Sequence, residues 1–197
     1  MQSPYKKKPL KLAMIGPQKA GKTSVINRFH NGTFDKNTIA TVGASFITHV
    51  FEIDGQQVTC QIWDTAGQEK YRSLGPIYYR DAVCALSMFD LTSNESFDEM
   101  KLFLTQFRDH CSDYVHIAII GHKKDVYNPE TGVDLDIVRN WATGQGWSFH
   151  LTSARTGEGV TEMFETVAVA VVDKMCERKQ ITVATLDTVE TGARGCC

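Results

Sequence analysis

The sequence predicts an α/β fold, a mostly parallel sheet wound with helices on both faces, and three observations carry that expectation. Apolar runs alternate with helix-length segments, several of the runs lack the in-out alternation of a half-exposed strand, and one Asp-Gly pair separates two strand-like runs. The first run, LAMI, is followed by KTSVINRF, a strand and then a helix. SFITHVFEI and VTCQIW flank Asp54-Gly55, which makes the second and third strands antiparallel hairpin neighbours. AVCALSMF precedes SFDEMKLFLTQF; the uninterrupted apolar character of the strand fits burial on both faces. HIAII pairs with DIVRNWA, and SFHL with VTEMFETVAVAVVDKM, completing six strands of which one is antiparallel. From about Lys179 the segment QITVATLDTVETGARGCC has no sustained period and is expected to be a mobile tail.

Composition bounds the chain without deciding its chemistry. With 42% hydrophobic and 22% charged residues over 197 positions, one sizeable core and a single domain are expected. The formal net charge of -2 supplies no broad basic field, so nucleic acid is not expected as a partner. MQSPYKKKPL has lysines but no apolar stretch behind them, which is unlike a secretory signal, and synthesis in the cytosol is expected. The longest apolar run, Ala82–Phe89, is far short of the ~18 residues of a membrane span. Cys60, Cys84, Cys111 and Cys176 are scattered and read as free thiols, and no histidine–cysteine spacing suggests structural zinc.

In a doubly wound sheet ligands sit beyond the carboxyl ends of the strands, so the loop after each strand is where chemistry is sought. After LAMI comes GPQKAGKT, a full G-x-x-x-x-G-K-[ST] between a strand and a helix. Its backbone amides at Gly16, Lys19, Ala20 and Gly21 suit an anion, Lys22 would reach the outer phosphates, and the Thr23 hydroxyl, next to Ser24, suits Mg²⁺. After VTCQIW comes DTAGQE, where Asp64 could hold a metal through water, Gly67 permits close backbone approach to a terminal phosphate, and Gln68 could orient an attacking water. The loop after HIAII reads GHKKD, and the one after SFHL contains SAR.

Together the phosphate loop and IWDTAGQE resemble the small GTPases, over roughly Leu10 to Met175. The resemblance implies a G domain of the P-loop NTPase kind at residues 10–178, with an N-terminal extension at 1–9 and the tail at 179–197. It implies GTP and GDP with Mg²⁺ as ligands, and hydrolysis of GTP that is slow without an activating protein and uses Gln68 and Lys22. In that family GHKKD corresponds to Asn-Lys-x-Asp: Asp125 would accept from the guanine N1 and N2 donors and Lys123 would cover the ring, but His122 stands where asparagine is expected. A carboxylate suits guanine, which presents adjacent donors on that edge where adenine presents none. Ser153, Ala154 and Arg155 resemble Ser-Ala-Lys, with the Ala154 N–H toward guanine O6. Thr41, followed by Val-Gly, matches the threonine of the first switch, which meets Mg²⁺ and the γ-phosphate.

Within that family YRSLGPIYYRD, LTSNESF and the terminal Cys-Cys resemble Rab proteins, and TVGASF with LGPIYYRD resembles their endosomal branch. This resemblance implies a monomeric switch of vesicle traffic, cycling from cytosol to the cytosolic face of internal, endosomal membranes. Its implied partners are an exchange factor, a GTPase-activating protein, a GDP-dissociation inhibitor or escort protein, and effectors. The effectors would meet Phe46, Trp63 and Tyr78, positions that could equally fill core. Cys196 and Cys197 would each carry a prenyl group; Lys179 and Arg194 are balanced by Asp187 and Glu190, so no polybasic patch assists and two lipids are needed for stable anchoring.

Three departures from the family pattern carry expectations of their own. His122 predicts weaker binding or faster exchange, Gln18 in the third position of the phosphate loop predicts obstruction of Gln68, and Thr38 in place of an aromatic predicts a looser first switch. The rival readings are a scaffold that holds GTP with little or no hydrolysis and a phosphotransferase using the same phosphate loop, against which stands the want of an acceptor-site motif or lid-like arginine cluster.

Overall fold

The computed structural model describes residues 8–67, 75–111 and 114–191, with side chains through 177 except those of 75 and 76. Six strands form one sheet in the order β2-β3-β1-β4-β5-β6: β1 is Leu10–Ile15, β2 Ala44–Ile53, β3 Gln56–Thr65, β4 Cys84–Asp90, β5 His116–His122 and β6 Ser148–Leu151. Only β2 and β3 pair antiparallel; every other neighbouring pair is parallel. The expected hairpin turn is present, with Asp54 at φ 50 and Gly55 at φ 70, the two left-handed residues that match the strands' own twist.

Helices cover the sheet on both sides. Against one face pack α1 (Lys22–Asn31) and α5 (Val160–Thr191), whose Val25, Ile26, Phe164, Val167 and Val171 meet Leu12, Met14, Ile62 and Leu86. Against the other pack α3 (Asn94–Arg108) and α4 (Leu135–Gly144), whose Met100, Leu104, Phe107, Val138 and Ala142 meet Ala13, Ile15, Phe89 and Ile119. Alternate residues of β1 and β4 thus enter opposite cores, which is why apolar residues dominate both strands without the alternation of a half-exposed strand. Among the described residues no helix is long and apolar enough to cross a membrane.

Two elements differ from the sequence expectation. A short helix, α2 (Gly75–Tyr79), precedes β4; GPIYY offers five residues and no readable period. α5 passes through the expected boundary at 178 and its backbone stays helical to Thr191, for Val160–Thr191 contains neither glycine nor proline and the next glycine in the chain is Gly192. Cys196 and Cys197 lie outside the described residues.

Candidate functional site

The four strand ends that carry the loops singled out in the sequence, those of β1, β3, β5 and β6, belong to strands that run the same way, and the register sets neighbours: Met14 beside Asp64, Asp90 beside His122, Gly121 beside Leu151. They border a cavity of about 590 Å³ lined by Gln18, Lys22, Thr23, Thr41, Gly67, His122, Lys123, Asp125 and Arg155, with Phe34 and the loop that follows it. This is a volume suited to a nucleotide-sized ligand.

The phosphate loop owes its shape to backbone freedom. Gly16 sits at φ 134 and a Cβ there would stand 2.1 Å from the Met88 carbonyl oxygen; Gly21, at φ 97, directly precedes α1 and offers no side-chain cap. The first-turn amides of α1 therefore have no side-chain acceptor from the capping position and face the cavity, an arrangement that suits an anion. Lys22 is 6% exposed, and its Nζ donates to the carbonyls of Gly16 at 2.7 Å and Pro17 at 2.9 Å. Burial lowers its pKa to about 8, against the pull of Asp64.

Beside it lies a knot of oxygens. Thr23 Oγ1 donates to Asp64 Oδ2 at 2.6 Å, Thr41 Oγ1 donates to the same oxygen at 3.1 Å, and the two hydroxyls are 2.8 Å apart. Burial raises the Asp64 carboxyl above its ordinary range, opposed by Thr23, Lys22 and Thr41. Asp64 Oδ1 is buried without a hydrogen-bond partner. A buried carboxylate oxygen with nothing to satisfy it, grouped with two hydroxyls, is a hard oxygen set that fits Mg²⁺. Gly67 closes the far side: a Cβ on it would stand 2.5 Å from Lys22 Nζ, 2.5 Å from the Pro17 carbonyl carbon and 2.6 Å from the Gln18 nitrogen. Gln68 lies outside the described residues. Ser24 Oγ and Thr38 Oγ1 are 3.5 Å apart, and Thr38 donates to the Asp35 carbonyl at 2.8 Å.

At the other end of the cavity the two base loops meet. Ser153 Oγ donates to Asp125 Oδ1 at 2.7 Å, and an Arg155 guanidinium nitrogen lies 3.7 Å from Asp125 Oδ2. Ala154 is fully buried. Lys123 adopts the left-handed conformation, φ 64, and its Nζ reaches Asp90 Oδ2 at 2.5 Å. Although burial would raise the Asp90 carboxyl, the bonds from Lys123 and Thr92 hold it below its ordinary range.

His122 is 3% exposed, with Nδ1 3.0 Å from the Thr152 hydroxyl and its ring edge against Gly21: a Cβ on that glycine would lie 2.4 Å from Cδ2. Burial, together with Lys123, lowers its pKa from 6.5 to about 4, so the ring is neutral near pH 7. A depressed folded-state pKa contributes stability above pH 6.5 that is lost as pH falls through 6.5 toward 4. Thermal unfolding should therefore show the native protein losing about 2 kcal/mol more than His122→Asn between pH 7 and pH 5, from 1.36 kcal/mol per pKa unit. Equal losses would mean that the ring does not sense acid there.

The sequence missed Asp90, Thr152 and Arg28, whose guanidinium donates to the carbonyls of Ala154, Arg155 and Gly32. Phe46 stacks on Trp63 with centroids 5.0 Å apart and is half exposed, Lys11 Nζ lies 3.9 Å over the Trp63 ring, and Tyr78 is partly buried against the core. Phe46 thus lies at the surface, while Tyr78 packs against the core.

A mononucleotide-sized cavity, a glycine-bearing loop before a helix and a group of hard oxygens at one end of a doubly wound sheet are the features of a nucleotide-binding domain. Comparison with known proteins agrees: a sequence model of the Ras family matches residues 11–173. The chain is 34% identical to Ras-related protein RABA2d of Arabidopsis thaliana, covering 95% of this chain and 93% of that one. It is 36% identical to GTP-binding protein ypt5 of Schizosaccharomyces pombe, over 80% and 75% of the two chains. Ras-related protein Rab-26 of Bos taurus is 39% identical, over 80% of this chain and 62% of its own. The chain belongs to the Ras family and, within it, to the Rab small GTPases. It is a GTP-hydrolysing enzyme of vesicle traffic that binds guanine nucleotide, generally with Mg²⁺.

Proposed function

We propose that the protein is an endocytic Rab switch, active with GTP and inactive with GDP, which recruits effectors at the cytosolic face of endosomal membranes. The observation that carries the switch reading is the convergence of Thr41 and Thr23 on one oxygen of Asp64, because it ties a residue of the first switch loop to the phosphate loop. In this reading Lys22 and the amides of Gly16, Lys19, Ala20, Gly21, Thr23 and Ser24 bind phosphates. Asp125, Lys123, His122, Ser153, Ala154 and Arg155 bind the base. Thr23, Thr41 and Asp64 would hold Mg²⁺, which supplies neutralisation of phosphate charge when bound. Gln68 orients the attacking water, and Gly67 brings the backbone beside the terminal phosphate. An exchange factor, an activating protein, a GDP-dissociation inhibitor or escort protein, and effectors touching Phe46, Trp63 and Tyr78 complete the cycle, with prenyl groups on Cys196 and Cys197 anchoring it. The placement in the endosomal branch is supported by TVGASF and LGPIYYRD.

The nucleotide released on denaturing freshly purified protein tests the reading. GDP near one equivalent supports a hydrolysing switch; GTP alone supports the scaffold, and an empty site points to binding weakened through His122.

Gln18 separates the two further. It is exposed at the cavity rim, and its backbone abuts Gly67, the residue before Gln68. Gln18→Ser should raise single-turnover hydrolysis about tenfold, equivalent to ~1.4 kcal/mol of barrier. Native and variant rates that coincide would remove obstruction as the cause of slow turnover.

A further inference from the structure

Arg28 is the residue the proposed reading leaves unused. It stands on α1, and its guanidinium donates to three main-chain carbonyls: Nε to Ala154 at 2.6 Å, one terminal nitrogen to Arg155 at 2.9 Å, and the other to Gly32 at 2.6 Å. The first two contacts join positions 126 and 127 residues apart in sequence, and the third reaches the glycine that caps α1. A planar fork of donors is suited to this; an ammonium group is a point charge and does not span three fixed carbonyls.

The consequence falls on one amide. On its N-terminal side Ala154 follows Ser153, whose N–H donates to the Glu158 carbonyl at 2.9 Å and whose hydroxyl holds Asp125. On its C-terminal side Arg28 holds the carbonyls of Ala154 and Arg155. Each peptide unit is planar and stiff, so anchoring both flanks fixes the direction of the Ala154 N–H. Packing assists: a Cβ on Gly157 would lie 3.7 Å from Arg28 Cδ, ordinary contact that seats the arginine stem under the loop.

We propose that Arg28 is a positioning residue for base selectivity: by tying the Ala154–Arg155 main chain to the helix that follows the phosphate loop, it aims the Ala154 N–H at guanine O6. The inference rests on the assignment of Ala154 as a reader of O6. It distinguishes two parts of base recognition: the O6 contact depends on α1 through Arg28, whereas the contact to the 2-amino group depends on Asp125, on a separate loop after β5.

The test uses the full chain and three diphosphates. GDP is the reference, 6-thio-GDP replaces O6 with a larger, weaker acceptor while keeping the N1 and 2-amino donors, and IDP lacks the 2-amino group. Dissociation constants are measured for the native protein and for Arg28→Lys, with Arg28→Gln as the second variant should the first not fold, and GDP-loaded melting temperatures are compared. The native protein should prefer GDP over both analogues. In the variant the preference for GDP over 6-thio-GDP should fall about tenfold, the loss of one well-placed hydrogen bond, while the preference over IDP changes less than threefold. An unchanged preference over 6-thio-GDP overturns the inference, and so does an equal fall in both preferences, which would mean general loosening of the site. A native protein indifferent to sulfur at position 6 overturns the Ala154 assignment itself, and that outcome is visible without any variant.

Discussion

Asp125→Asn is expected to exchange guanine for xanthine as the preferred base. Asp125 Oδ1 is held by Ser153 and its other oxygen faces Arg155, so the side chain is fixed before any base arrives. Both carboxylate oxygens only accept, which matches the adjacent N1–H and 2-amino donors of guanine. A carboxamide keeps the shape but turns one acceptor into a donor, and opposite the 2-amino group that donor is unpaired. Hydrogen bonds to a charged group are worth about 1.5 to 3 kcal/mol each, so GDP affinity should fall by roughly two to four decades. Xanthine offers N1–H with a carbonyl at position 2, and the variant should bind its diphosphate more tightly than GDP. Competition between the two diphosphates for the native protein and the variant reads this directly. A variant that still prefers GDP would show that Asp125 does not face that edge of the base.

Gly67→Ala is expected to lower single-turnover GTP hydrolysis by at least about a hundredfold, ~3 kcal/mol of barrier. The added carbon would fall 2.5 Å from Lys22 Nζ, which can swing, and also within 2.6 Å of Pro17 and Gln18 main-chain atoms, which cannot without deforming the phosphate loop. The loop carrying Gly67 must then stand away from the phosphates, and the residue after it, Gln68, moves with it. GDP binding should be nearly preserved, because the loops of Asp125 and Ala154 are untouched and the backbone of α1 is not met by the added carbon. A hydrolysis rate within threefold of native would mean that this loop does not close on the nucleotide in the way its geometry implies.

Much of this site was legible because its residues come in contiguous words, each following a strand. GPQKAGKT, DTAGQE, GHKKD and SAR could be placed at one end of the sheet before any coordinates, since a doubly wound sheet sends every such loop to the same edge. Arg28 was not legible, because its three acceptors are main-chain carbonyls and carry no sequence signal. Asp90 was hidden differently: with Thr92 donating to it, it reads as an ordinary turn cap, although its position at the carboxyl end of β4 matched that of the other loops and was the signal to follow. The identity of His122 was plain, but its neutral, buried state depends on Gly21 and Thr152 approaching from two distant segments. The end of α5 went unseen because helix continuation there is set by what is missing, any glycine or proline before Gly192.

The hairpin of β2 and β3 has one more consequence. β2 starts at Ala44, directly after the loop that holds Thr41; β3 ends at Thr65, two residues before Gly67, and Ala44 pairs with Thr65 while the Ala66 N–H donates to the Gly43 carbonyl at 2.9 Å. The loop that holds Thr41 and the loop that holds Gly67 are therefore rooted side by side on the last rung of one ladder. A ladder cannot slip by a single rung without turning every side chain to its opposite face, which would drive the inward Phe51 and Ile53 into water. In the proposed cycle, news of the γ-phosphate would thus be delivered to both roots as one message, and a partner that grips either loop would learn the condition of the other.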